Sequence, residues 1–555
     1  MSKEQKRLKV IPLGGLEEIG KNITVFEYED DIIIVDCGMS FPEDEMLGVD
    51  LVIPDISYLT KNKEKVRAII LTHGHEDHIG AIPYVLKDLN VPVYGTKLTL
   101  GLVKHKLDEH EMTSDAILYE IKSGDILNLG CFSVEIIRST HSIADSVALA
   151  IHTPVGVVLH TSDFKIDFTP IEGEPMDLAR IAELGRKGIL LLLCDSTNVE
   201  REGYTMSEKT VGYTFESIFE NARQRILVAT FASNVHRVQQ VINASVKFGR
   251  KVAICGRSMI NVVSAAMDMG YLQIPDGVLI DIDDINKYAP EELAIITTGS
   301  QGEPMSALTR MAFSDHRKVE IVPGDLVIIS ANPIPGNEKL VSRVINELFK
   351  KGADVIYEAL ADIHVSGHAC QEELKLIHCL AKPRFFVPVH GEYRHLKQHA
   401  ILANSLGMPM ENIFILSNGR VMELSPDKAR VTGNVTSGNI MVDGLGVGDV
   451  GNIVLKDRKL LSQDGLLIIV ISIDADSGNI VAGPDVISRG FVYVRESEDL
   501  MEEVKEKCRI ALAKCDEKKK NNWDKKKIAI KETLRDFLYE KTKRKPMILP
   551  IIMEV

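Results

Sequence analysis

Three histidines and two carboxylates fall within six residues of this 555-residue chain, as His73, His75, Glu76, Asp77 and His78. Imidazole and carboxylate at that density are metal-ligand chemistry. Two histidines two residues apart on a loop suit one cation, and the aspartate and histidine that follow suit a second beside it. A lone histidine is ordinarily a surface or satisfied core residue, which is the reading for His105, His110, His152, His160, His316, His378, His395 and His399. The cluster has no such packing explanation. A two-cation site needs a third histidine on the first cation, another on the second, and a carboxylate able to reach both. His141, His390 and Asp163 meet that requirement, each following an apolar run. Two cations about 3.5 to 4 Å apart acidify a water between them and stabilise the entering and leaving oxygens of a phosphoryl group, so the chemistry expected is hydrolysis.

The elements that must deliver these residues are strands. Residues 66–71 (VRAIIL) are too continuously apolar to be half exposed. They read as an inner strand with the cluster at its C-terminal end and a helix starting near Ile82-Pro83. The pattern recurs: 132–138 delivers His141, 156–161 delivers Asp163, 189–193 delivers Asp195, and 384–389 delivers His390. Hairpin-like strands at 8–12, 22–28 and 31–35 come first and favour an αββα sandwich over a doubly wound sheet. From about Ser207, strands at 225–231, 251–256, 293–298, 325–330 and 354–357 alternate with helical stretches, the mark of parallel βαβ units. Strands at 413–416 and 421–424 return to the first layer. Residues 431–460 read as a glycine-rich connector. Gly446, Gly448 and Gly451 match G-x-G-x-x-G there, but that fingerprint needs a helix after it, and 452–455 reads as extended, so a dinucleotide site is rejected. Beyond lie strands at 466–473, 491–494 and 547–553 and helices at 500–514 and 527–539. The expected division is 1–206 and 361–430 for the sandwich, 207–360 for the inserted domain, 431–460 for the connector and 461–555 for a small α/β domain.

Forty-five per cent hydrophobic and 26 per cent charged residues describe an ordinary globular protein. The longest apolar runs are far too short to span a bilayer, and no secretory leader is visible, which reads as cytoplasmic with no membrane partner. Eight cysteines without a CxxC pair read as buried free thiols. A net charge of −14 argues against nucleic acid, but residues 497–546 hold 16 Lys+Arg against 11 Asp+Glu. Their clusters at 518–520 and 525–527 are either RNA contacts or solvated helix ends.

The HxHxDH stretch, with a later His, Asp and His, resembles the metallo-β-lactamase superfamily. That resemblance implies a first metal on His73, His75 and His141, a second on Asp77, His78 and His390, and Asp163 between them. Zn²⁺ is the implied ion, two per chain, with Mn²⁺ or Mg²⁺ as alternatives, and Asp36 is expected to orient a ligand. The inserted domain, with Asp195 before it and His368 in the HVSGHA stretch after it, resembles the β-CASP nucleases. PVHGE at 388–392 matches that group's closing motif, and nearly the whole chain is similar to the ribonuclease J family of bacteria. The fold implied is an αββα metallo-β-lactamase sandwich with an inserted parallel-sheet β-CASP domain and a small C-terminal α/β domain. The activity implied is 5′ to 3′ exonuclease on 5′-monophosphate RNA plus endonuclease, by homodimers or homotetramers. His368, Asp195 and Asp77 are the expected catalytic residues. His368 suits a proton donor to the leaving 3′ oxygen and Asp195 its support, against competing readings as helix caps. Ser233 and Asn234 before one helix, with His364, Val365, Ser366, Gly367, His368 and Ala369, are expected to bind substrate, the first pair as a terminal-phosphate site or a plain helix cap. Rival readings are a silent subunit that binds an active paralogue and RNA, and a small-molecule hydrolase or di-iron redox protein of the same superfamily.

Overall fold

The apolar runs that precede the ligand-type residues fold into two facing sheets. In the computed structural model, residues 6–303, 305–334, 337–358, 363–474, 480–492, 497–514 and 523–555 are described. The chain forms two compact units, residues 1–40 with 53–439, and 41–52 with 440–555. In the first unit, an eight-stranded sheet runs in the order Ala429–Asn434, Arg420–Leu424, Leu8–Gly14, Ile23–Tyr28, Asp31–Val35, Val66–Ile70, Val93–Gly95, Leu118–Glu120. Facing it is a six-stranded sheet, ordered Phe385–Val389, Ile189–Asp195, Gly156–His160, Val147–Thr153, Phe132–Arg138, Ile126–Leu129. Phe26, Ile33 and Ile70 of one sheet share a core with Phe132, Leu149, Leu191 and Val387 of the other. Helices Leu178–Lys187, Gln371–Ala381 and Tyr393–Ser405 cover the second sheet's outer face through Ile181, Leu184, Leu374, Ile377, Ala400 and Ala403. This is the αββα sandwich.

Strand direction decides where chemistry collects. Phe132–Arg138 and Gly156–His160 are both antiparallel to Val147–Thr153 and so run the same way, and Gly156–His160, Ile189–Asp195 and Phe385–Val389 are successive parallel partners. Asp195 at its strand end, and the turns that carry His141, Asp163 and His390, therefore lie at one edge. Asp195 pairs with Val389. The chain thus leaves the sandwich after Asp195 and returns next door, and the excursion builds a separate six-stranded sheet in which every pairing is parallel.

In the second unit, strand Leu466–Ile473 lies antiparallel to Ile480–Arg489 and parallel to Met547–Glu554. Helices Glu498–Ala513 and Trp523–Thr542 bury Val504, Cys508, Leu534 and Leu538 against Leu467, Ile469 and Ile471. Three sequence expectations change. Residues 413–416 form no strand and make a single bridge, Ile413 to Phe386. Residues 452–455, expected to be extended, open helix Asn452–Asp464. The dinucleotide reading still fails, because the two-residue strand Gly446–Val447 belongs to an antiparallel hairpin, not a βαβ unit. Phe491 and Val492 lie outside any strand, residues 493–494 fall outside the described residues, and the strand Ile480–Arg489 takes that place in the sheet. Lys518 to Lys520 also fall outside the described residues. The seven described cysteines are free, Cys379 exposed and the others buried or half-buried.

Candidate metal centre

Helix Glu76–Ile79 begins inside the histidine cluster, earlier than the sequence pattern suggests, so Asp77 and His78 lie on its first turn. His73 and His75 occupy the loop before it. His73 Nε2 lies 3.0 Å and His141 Nε2 3.2 Å from His75 Nδ1. Hydrogen bonds elsewhere assign the protons. His141 Nδ1 donates to the Gly367 carbonyl at 2.6 Å. His73 Nδ1 faces the Thr72 hydroxyl at 3.1 Å, and that hydroxyl donates to Asp36 at 3.0 Å. Nε2 of both rings is left as a bare lone pair. Burial holds His73 and His141 well below the usual histidine range and brings His75 down to about 4. Two bare lone pairs thus converge on His75 Nδ1, and three neutral imidazole nitrogens so close together suit a cation among them.

His78, His390, Asp77 and Asp163 form a second group. His390 Nε2 is 3.1 Å from Asp77 Oδ2 and 3.3 Å from Asp163 Oδ2, while His78 Nε2 is 3.2 Å from Asp163 Oδ2. The same Asp163 oxygen is 3.9 Å from His73 Nε2 and 4.0 Å from His141 Nε2, so it borders both groups. Burial opposes charge on His78 and His390, but Asp163 and the neighbouring aspartates outweigh it, raising His78 well above its usual range and His390 to about 9. Burial likewise opposes the Asp77 and Asp163 anions, and the facing histidines overcome it, holding both carboxyls well below the usual carboxylate range. This group demands positive charge. Neutral imidazoles in one group and ionised carboxylates in the other fit a pair of divalent cations.

The ligand-type rings are held from behind. His78 Nδ1 donates to Asp36 Oδ2 at 2.8 Å, and His390 Nδ1 to Thr197 Oγ1 at 2.7 Å. Asp36, Ser162 and His390 all take left-handed backbone angles, with φ of 63°, 54° and 55°. Non-glycine residues rarely do so, and here each sits just beyond a strand end.

His368 overlooks both groups. Its Nδ1 donates to Asp195 Oδ2 at 2.8 Å, and its ring stacks on His390 with centroids 5.3 Å apart and meets the edge of His141 at 5.0 Å. Burial works against its charge, yet Asp195 beside it raises its pKa. Asp195 Oδ1 accepts from the Thr197 N–H at 2.9 Å and hydroxyl at 2.7 Å. A turn rather than a helix follows Asp195, and Cys370 is the residue that precedes helix Gln371–Ala381, so neither His368 nor Asp195 is a helix cap.

Among the remaining expected residues, Asn234 caps helix Val235–Lys247, its Oδ1 accepting from the Arg237 N–H at 3.0 Å, with Ser233 half-buried beside it. Arg237 donates to the Ser330 carbonyl at 2.9 Å and the Ser330 hydroxyl donates to the Ile363 carbonyl, which ties this helix start to the stretch from His364 to Ala369. Within that stretch Ser366 Oγ accepts from Asn198 Nδ2 at 2.8 Å and from the His368 N–H at 3.2 Å. Val365 and Ala369 are buried, and His364 Nδ1 is buried without a partner. Sequence reasoning missed Thr197 and Asn198 as supports although they lie two and three residues after Asp195. It had no signal for Asn22, whose Nδ2 donates to Asp77 Oδ2 at 3.2 Å across 55 positions.

Comparisons with known proteins show the family. Residues 17–169 match the metallo-beta-lactamase superfamily, 223–348 the ribonuclease J beta-CASP domain, 352–416 a Zn-dependent metallo-hydrolase RNA specificity domain, and 453–555 the ribonuclease J C-terminal domain. A crystal structure described as a protein of unknown function from Enterococcus faecalis V583 shares the fold, with TM-score 0.54 at 18 per cent identity over 75 per cent of this chain and all of that one. Fold and site together define a divalent-metal hydrolase of the metallo-β-lactamase type with a β-CASP insertion. Ribonuclease J2 of Bacillus subtilis (strain 168) is 47 per cent identical over 553 residues, spanning all of both chains. Ribonuclease J 1 of Streptococcus pyogenes serotype M3 is also 47 per cent identical, over all of this chain and 99 per cent of that one. The chain belongs to the ribonuclease J family. It is an RNA-binding ribonuclease, and among the described residues no helix is long and apolar enough to cross a membrane.

Proposed function

We propose that this ribonuclease cleaves RNA phosphodiesters as a 5′ to 3′ exonuclease favouring 5′-monophosphate ends, with endonuclease action as well, in cytoplasmic RNA maturation and decay. His73, His75 and His141 would hold one Zn²⁺ and Asp77, His78 and His390 a second, with Asp163 placed beside both groups; Mn²⁺ or Mg²⁺ are the alternatives. When bound, the cations supply an acidified water and positive charge for the phosphoryl oxygens. The observation that carries the reading is His368, held by Asp195 at 2.8 Å and stacked over His390. With Nδ1 committed to Asp195, Nε2–H is the donor left for the departing 3′ oxygen, a general-acid role worth about 100- to 10,000-fold in rate. Asp77 and Asp195 contribute to catalysis through His390 and His368. Ser233, Asn234 and the stretch from His364 to Ala369 bind the substrate's 5′ end. Residues 1–206 and 361–430 form the metal-binding sandwich, 207–360 the domain that clamps RNA, and 431–460 a connector to the domain at 461–555. The protein works as a homodimer or homotetramer, alone or with a paralogous subunit.

The test is to incubate pure protein with 5′-monophosphate and 5′-triphosphate RNA in Mn²⁺ or Mg²⁺ and follow products. Mononucleotides released faster from the monophosphate substrate are expected, and both His75→Ala and Asp77→Ala are expected to be inactive. No cleavage by wild type at full metal occupancy would replace this reading with that of a silent partner subunit.

A further inference from the structure

Glu373 stands apart from both ligand groups, yet its carboxylate joins three segments that meet around them. Its Oε1 accepts the Ile166 N–H at 2.7 Å, and its Oε2 accepts the Thr205 N–H at 2.7 Å and the Cys370 N–H at 2.8 Å. It is fully buried. The bond to Cys370 alone is a capping box for helix Gln371–Ala381, which normally leaves an exposed glutamate with one local partner. The other two bonds cross 207 and 168 positions. A capping box does not call for them, and a carboxylate is buried at a cost that only several donors offset.

Each segment so joined carries a working part. Ile166 lies three residues after Asp163, and its neighbour Lys165 pairs with Thr140, the residue before His141, through N–H to carbonyl at 2.8 Å and hydroxyl to carbonyl at 2.6 Å. Thr205 donates its hydroxyl to the His368 carbonyl at 2.6 Å, alongside Asn198 Nδ2 at 3.0 Å. Cys370 follows His368 by two residues. Lys165, itself buried, lies among the charges of Glu208, Asp167 and Glu373 and balances part of the buried anion.

We infer that Glu373 is a positioning residue for leaving-group protonation: by clamping the Ile166, Thr205 and Cys370 amides, it fixes the His368 backbone so that the imidazole meets the departing 3′ oxygen. The inference rests on reading His368 as the acid. Only an acceptor-only side chain satisfies three amides at once, since the glutamine amide turns an N–H toward one or two of them.

The experiment compares two substrates. Departure of a ribose 3′ oxygen needs a proton, whereas nitrophenolate leaves bis(4-nitrophenyl) phosphate as the anion and needs none. Glu373→Gln, assayed with its metal content measured, is expected to lose about 10- to 100-fold in kcat on 5′-monophosphate RNA, with KM within about 3-fold. Its rate on the nitrophenyl diester is expected within about 3-fold of wild type. His368→Ala, run beside it, is expected to show the same selectivity with a larger loss. Selectivity in His368→Ala without it in Glu373→Gln overturns the role of Glu373 alone; equal loss on both substrates in His368→Ala overturns the acid reading and this inference with it. If Glu373→Gln does not fold, Thr205→Val decides. A selective loss on RNA of about 3- to 10-fold supports the clamp, and an unchanged rate overturns it.

Discussion

Asp36 illustrates how a residue without a place in either ligand group governs one of them. One oxygen accepts the Thr72 N–H at 2.8 Å, and the other takes His78 Nδ1–H at 2.8 Å. Its left-handed backbone is a conformation asparagine also accepts readily, so Asp36→Asn tests the acceptor and not the backbone. An asparagine can keep its oxygen toward Thr72, and its NH₂ then faces the donor of His78. Affinity at the Asp77, His78, His390 group is expected to fall about 10- to 100-fold, the usual cost of losing such support, while the His73, His75, His141 group keeps its cation. Metal titration followed by calorimetry checks this, and equal weakening of both groups would show that Asp36 holds the whole loop instead.

At the scale of elements, the site is a set of strand ends, and that part was legible because buried strands are unbroken apolar runs and ligand-type residues follow them directly. Thus 66–71 led to His73, and 384–389 led to His390. The same rule misled at 413–416, an apolar run whose backbone makes one bridge to Phe386, because burial there comes from packing on neighbouring elements and not from a ladder. It could not see helix Asn452–Asp464, which buries no residue and so carries no core stripe. Nor could it see close approaches between segments far apart in sequence. Residues 37–39 are threaded between Asn22 and helix Glu76–Ile79: Cys37 N–H donates to the His78 carbonyl at 2.8 Å, and Gly38 N–H to the Asn22 carbonyl at 3.0 Å. A Cβ on Gly38 would stand 1.6 Å from the Asp77 carbonyl oxygen, so the helix must move if a side chain is added. Gly38→Ala is expected to keep its far-ultraviolet circular dichroism, lose the cation of the Asp77 and His78 group, and drop RNA cleavage by about 100-fold or more. Wild-type metal content in that variant would show that the helix absorbs the shift.

For the molecule as a whole, titratable groups are distributed unevenly. All sixteen histidines lie in the unit formed by residues 1–40 and 53–439, and the single tryptophan, Trp523, lies in the other. Away from the metal groups, His378 and His399 face each other across 3.2 Å beneath the second sheet, and Ser196 bonds His399 at 2.9 Å. Burial lowers His378 to about 4 and His399 well below the usual histidine range, so both are neutral in the folded protein. Unfolded histidines take up protons near about pH 6.5, before the folded ones do. The folded-state pKa is the lower one, so the stability these rings carry is complete above about pH 6.5 and is lost progressively as pH falls toward about 4. For His378 the loss between about pH 7 and about pH 5 is about 2 kcal/mol. Paired carboxylates such as Glu135, held low by Arg180, weaken only at lower pH, which leaves this window to histidine. In metal-free protein, the urea transition read by far-ultraviolet circular dichroism is therefore expected to move to lower urea between about pH 7 and about pH 5, while the transition read by Trp523 emission stays in place. His378→Gln, which removes one of several titrating rings in that unit and keeps a polar group, is expected to reduce the first dependence by about 2 kcal/mol. Equal movement of both transitions, or an unreduced dependence in the variant, would show that acid sensitivity arises elsewhere.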